Sequence, residues 1–147
     1  MRNNLVLITA PSVEPVIPAQ LQAQCRLDQV SAAEVALLEG KLKAAREACE
    51  SYTGRQLLDA TWELRLDEFP DCNDDGDIAD GTAIILPRAP LLELVSIKYI
   101  DTAGVEQTLA GSEYQVDPPA GSGDQRAIVA PAYGTSWPST RCQPGAV

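Results

Sequence analysis

Residues Ala44 to Leu66 read AAREACESYTGRQLLDATWELRL, and the spacing of their apolar positions changes partway through. Up to Tyr52 the apolar residues recur every three or four places. From Thr61 they recur every second place. A period near 3.6 marks a helix with one apolar face, and a period of two marks a strand with one apolar face. The stretch is therefore the end of a helix, a break at Gly54, and the first strand of a sheet.

Upstream the helical pattern extends to Ser31. Ser31 and Glu34 have the spacing of a capping box, which satisfies two backbone donors at a helix start. Val35, Leu38, Leu42, Ala45, Ala48 or Cys49, and Tyr52 form one apolar stripe. Glu39 and Lys43 are a favourable pair four residues apart. Gly54 stands where a left-handed residue closes a helix. The spacing predicts a helix over about 31–53, roughly 33 Å long at 1.5 Å per residue. A helix of that length often packs along a neighbouring molecule as well as its own core. A shorter helix is expected from Pro18 to about Leu27-Asp28, with proline in its first turn. Before it, residues 1–17 contain Pro11 and Pro15 and read as an extended arm.

Downstream, Thr61–Asp67 alternates, with Trp62, Leu64 and Leu66 on one face. Further strands are expected at 83–86, ended by Pro87, and at 94–100. A turn at Asp101–Gly104 leads into 105–109, and short strands follow at 113–116 and 127–129. Pro118–Gly123 reads as a loop. Residues 131–147 have no clear period and read as an extended C-terminal segment. Helices precede strands, so the expected class is α+β, with a helical part over 18–54 and a small, mostly antiparallel β part over 60–130 in one domain.

Composition excludes several functions. The 147 residues suit one ordinary domain, and 45% hydrophobic with 22% charged residues is a globular profile. No apolar run approaches the ~20 residues of a membrane helix. The N-terminal run Leu5–Ile8 is too short for a secretory segment. These features place the protein in a cytoplasm with no membrane role. Cys25, Cys49, Cys72 and Cys142 are scattered and there is no histidine, so neither a zinc site nor a disulfide framework is expected. The net charge is −10, of which residues 61–82 supply −7 from eight acids and one arginine. No basic stripe exists to neutralise phosphates, which disfavours nucleic-acid reading.

The acidic segment DCNDDGDIADG, residues 71–81, begins as a calcium loop does. Asp71, Asn73 and Asp75 fall at ligand positions and Gly76 at the turn. Position twelve, where a bidentate glutamate belongs, is Thr82. The flanks read as strands, whereas a calcium hand has helices. A solvated loop is the preferred reading; the alternative is a small calcium-binding module using the loop 71–82, with Asp71, Asn73 and Asp75 as metal candidates.

Catalysis has few materials. Without histidine no Ser-His or Cys-His pair can form. The carboxylates lie mostly in the exposed acidic patch, where nothing raises a pKa. No phosphate-binding glycine motif occurs, and Gly121-Ser122-Gly123 reads as a plain turn. The chain is expected to be no enzyme and to carry no cofactor. Trp62 belongs to the strand alternation, while Trp137, in an irregular segment, is a candidate for partner contact.

Several runs together resemble the head–tail connector (adaptor) proteins of tailed phages, also found in prophages and gene transfer agents. They are Ala44–Leu58 followed by Thr61–Leu64, Ile85–Leu91, Val95–Tyr99, Tyr114–Asp117 and Tyr133–Pro138, in that order along most of the chain. The resemblance implies a structural virion protein in the neck, assembled in a bacterial cytoplasm. It implies a ring, commonly of twelve copies, between the portal protein and a downstream stopper or tail-terminator protein. The ring would continue the DNA channel without sequence-specific binding. The long helix would pack beside its neighbours' helices, and the sheet would carry lateral contacts. Arg46, Arg55, Trp137 and Arg141 are the expected partner-contact residues. An acidic lining lets DNA slide, where a basic one would hold it. Related chains continue past Val147 into a final strand, so the resemblance also implies a shortened chain or a missing last strand and tail.

Overall fold

The computed structural model describes residues 3–70, 82–118, 121 and 125–147. The acidic loop and its metal candidates Asp71, Asn73 and Asp75 lie outside the described residues. The fold is α+β, with two helices followed by small antiparallel sheets. The order is β1 (Asn3–Thr9), α1 (Pro18–Cys25), α2 (Ala32–Thr53), β2 (Thr61–Leu66), β3 (Ile84–Ile85), β4 (Lys98–Ile100), β5 (Glu106–Thr108), β6 (Tyr114–Asp117) and β7 (Ile128–Pro131). The chain divides into two compact units. One comprises Met1–Ile8 with Trp62–Val147, the other Thr9–Thr61.

Within the helical unit, α2 begins and ends as its sequence predicts. Ser31 caps α2: its hydroxyl accepts from the Glu34 amide, and its own N–H donates to the Glu34 carboxylate at 2.8 Å. Gly54 closes the helix in the left-handed region at φ 66, a backbone conformation that residues with a side chain rarely adopt. The buried face differs from the expected stripe. Val35, Leu38 and Leu42 are half-buried as predicted. Beyond them Ala45, Ala48, Cys49 and Tyr52 are exposed, with Tyr52 at 94%. The inward positions there are Arg46 and Glu50, which continue from Leu42 at four-residue steps. Charge occupies the interior of this half of the helix because an ion pair forms there.

The other unit contains the apolar core. β2 alternates as expected: Thr61, Glu63 and Arg65 are exposed, Trp62 and Leu64 half-buried, Leu66 buried. β7 is the centre of a three-stranded sheet between β3 and β6, with Val129 opposite Ile84 on one side and Val116 on the other. β4 and β5 form a hairpin in which Tyr99 faces Gln107. Asp101 organises its turn by accepting the Ala103 and Val105 amides at 2.9 Å each and the Gln107 side chain at 3.0 Å. Gly104 supplies the positive φ of 86 that the turn requires. Residues 146–147 join two sheets. Val147 and Leu66 exchange both backbone bonds, and Ala146 accepts from Ile100 at 2.7 Å. Leu66, Phe69, Ile84, Ile97, Leu109 and Val129 form the core.

Several expected elements differ in extent: α1 ends at Cys25, and the strand expected over 83–86 is Ile84–Ile85. The arm contains a strand, β1, which pairs with β2. Its apolar run Leu5–Ile8 suits a pleated surface despite the prolines that follow. The strand expected over 94–100 shrinks to Lys98–Ile100. Before it the chain is irregular and Val95 is 77% exposed.

Candidate functional site

The most unusual chemistry lies on α2. Arg46 and Glu50 are the buried charged residues among those described, at 6% and 2% exposure. Burying charges is costly unless each is paired and its remaining hydrogen-bonding groups are satisfied. Both conditions are met here. Arg46 presents Nε and Nη2 to the two oxygens of Glu14 at 2.7 and 3.1 Å, the two-pronged geometry that suits a guanidinium and a carboxylate. Its Nη1 donates to Glu50 Oε2 at 2.8 Å, four residues along the helix. The other Glu50 oxygen accepts from Gln56 Nε2 at 2.9 Å and from the Leu57 amide at 3.0 Å. One cluster thus ties the arm, the helix and the segment after it.

The hydrogen bonds from Arg46 hold the Glu14 carboxyl below its ordinary range, and the positive charges of Arg46 and Lys43 add to that. The same pairing with Glu14 raises Arg46 further above its already high value. Its guanidinium donates three hydrogen bonds to the carboxylates of Glu14 and Glu50.

The four expected partner-contact residues occupy different settings. Arg46 is committed to the cluster with Glu14 and Glu50 of its own chain. Arg55 is half-buried just past Gly54. Trp137 is half-buried and stacks on Phe69, with ring centroids 4.7 Å apart and planes at 7°. Its indole N–H donates to the Thr82 carbonyl at 2.6 Å. Phe69 in turn meets Tyr99 edge-on at 5.8 Å, so the Trp137 ring belongs to an aromatic stack of the core. Arg141 is exposed. Its backbone N–H bonds Ile100, and its guanidinium lies 2.6 Å from where a Cβ on Gly104 would stand. Arg141 therefore covers the Asp101–Gly104 turn. Arg46 and Arg55 belong to the helical unit, Trp137 and Arg141 to the other.

Sequence reasoning missed Glu14 and Glu50. Their signal was present: Glu50 falls on the Leu38–Leu42–Arg46 line, and a carboxylate four residues beyond an arginine on an inward face points to a buried pair. Among the described residues, no three histidine, cysteine or carboxylate side chains cluster as metal ligands would. No helix there is long and apolar enough to cross a membrane. No protein-family model matches this chain, and no curated protein or solved structure matches it.

What the surface lacks is equally informative. Among the described residues, the nine buried apolar ones all lie in Trp62–Val147. Among the described residues, the unit Thr9–Thr61 buries no apolar residue, while Val13, Val16, Ile17, Leu27, Leu37, Tyr52 and Leu57 stand exposed in it. On α2, Leu37, Gly40, Ala44, Ala48 and Tyr52 fall along the side opposite Leu42 and Arg46.

Proposed function

We propose that this chain is a non-enzymatic ring subunit, a head–tail connector of a tailed phage or a related particle. The observation that carries the reading is the helical unit without an apolar core. Isolated helices are marginal in water, and most helical stability comes from packing an apolar face. A unit whose interior is an ion pair and whose Leu37 and Tyr52 face solvent needs cover from outside itself. Neighbouring copies in a ring supply such cover, because a closed ring puts two different faces of each subunit in contact.

The ordered motifs from Ala44 to Pro138 support the same reading, as does the acidity. With a net charge of −10 the chain repels DNA, which suits a passage through which DNA slides. In this reading the ring lies between the portal protein and a stopper or tail-terminator protein, in the neck of the virion, and twelve copies is the expected number. The chain needs no cofactor and performs no reaction.

Light scattering coupled to size exclusion tests the first part. A closed multiple of the 15.7 kDa chain is expected. A strictly monomeric protein at micromolar concentration, absent from purified particles, refutes the proposal.

A further inference from the structure

We propose that the Glu14–Arg46–Glu50 cluster is an electrostatic latch, which straps residues 9–17 onto the long helix and opens when Glu14 loses its charge, while the helix stays folded. The inference does not rest on the ring reading.

The latch has one fixed jaw and one releasable jaw. The Glu50 side chain is 3% exposed and is held by Arg46, Gln56 and Leu57 together. The Glu14 side chain is 27% exposed and, among the described residues, is hydrogen-bonded by Arg46. Water and protons therefore reach the Glu14 side first. When that pair opens, Arg46 keeps Glu50 at 2.8 Å and the helix end keeps its bonds.

Between the end of β1 at Thr9 and the start of α1, little else among the described residues holds the strap. Val13, Val16 and Ile17 are 66%, 38% and 56% exposed, so apolar burial contributes little there. Pro11, Pro15 and Pro18 remove backbone donors and favour extended backbone. The Ile17 amide is spent on Gln20, at the start of α1. Among the described residues, Glu14 is the strap side chain that bonds α2.

The charges around the latch fix the direction of its response. Arg46 and Lys43 face Glu14 and favour its ionised form. Glu47, 3.8 Å from Arg46, and Glu50 compete for the same guanidinium. α1 carries no acidic or basic side chain. The Glu14 carboxyl is thus held below its unfolded value, so the strap is fully latched above the ordinary carboxylate range. It is released as pH falls through the lowered value.

A nitroxide label on Ser12 reads the strap in a chain whose four cysteines are serine. A second label on Ala44, exposed on α2, is the control. At pH 7 the Ser12 label is expected to show an immobilised component that is lost in Glu14→Gln. In the otherwise native chain that component is expected to be lost on acidification, and the Ala44 spectrum to remain unchanged. Glu14→Gln should show no acid step at Ser12. An immobilised Ser12 label in Glu14→Gln at pH 7 overturns the proposal. So does loss of both labels' order at one pH, which would make the pair part of global stability. If Glu14→Gln does not fold, the acid titration of the two labels in the native chain decides alone.

Discussion

Replacing Arg46 by methionine, a side chain of similar length without charge, removes the counter-ion of a buried carboxylate. The Glu50 side chain is 3% exposed, so it cannot turn to water. Breaking a buried pair by removing one partner costs about 3–5 kcal/mol, most of it the uncompensated charge. Glu50 keeps two donors, Gln56 and Leu57, which places the cost at the lower end. Glu14 is 27% exposed and can rehydrate, adding ~0–1 kcal/mol, as surface pairs do. The expected loss for Arg46→Met is therefore about 3 kcal/mol, or a fall in Tm on the order of 6–12 °C. The second substitution isolates the cause. Glu50→Gln keeps an acceptor for Gln56 and Leu57 but removes the charge. The double variant Arg46→Met/Glu50→Gln should recover about 2 kcal/mol of the loss, a coupling of the size that contacting residues show. Urea unfolding followed by circular dichroism at 222 nm, which reads the helices, measures all three. A single variant within ~1 kcal/mol of the parent, or a double variant no better than the single, refutes the buried-charge argument.

Two further outcomes test the other unit. Trp137→Ala removes the ring stacked on Phe69 and orphans the bond to Thr82, and should cost ~3–5 kcal/mol in thermal unfolding; an effect below ~1 kcal/mol would return Trp137 to the surface. Asp101 is held below the ordinary carboxylate range by the Val105 amide first and the Gln107 side chain next. Its charge therefore stabilises the fold above that range, and the contribution disappears as pH falls through the lowered value. Asp101→Asn keeps an acceptor without the charge, so its unfolding midpoint should lose that acid-side slope; an unchanged pH profile would assign the turn to Gly104 alone.

The α+β order was legible because two local codes change at Gly54. The Ser31 cap and Gly54 carry their own chemistry, and α2 lies within a residue of its expected bounds. Strand positions after Thr61 followed alternation, but their lengths did not. Leu94–Ile97 reads as strand by composition, yet pairing is set by tertiary partners, and only Lys98–Ile100 finds them in β5. The interior of α2 misled for a physical reason. Periodicity scores Ala45, Ala48 and Tyr52 as core and cannot see that Glu14, 32 residues upstream, neutralises Arg46. A buried ion pair is a long-range event, and its two halves look like surface residues until they meet. Trp137 was ambiguous on the same grounds, since neither Phe69 nor Thr82 is near it in sequence.

The contacts of Trp137 also bear on the acidic segment. Phe69 stacks on one face of its ring, and the Thr82 carbonyl takes its N–H. Those two residues bracket positions 70–81, so both ends of the segment are moored to a single indole. Two chain positions held on one ring place the closure entropy of the stretch between them on a single side chain, and doubling such a stretch costs only about 0.6 kcal/mol. Loss of the Trp137 ring would therefore release Phe69 and Thr82 together.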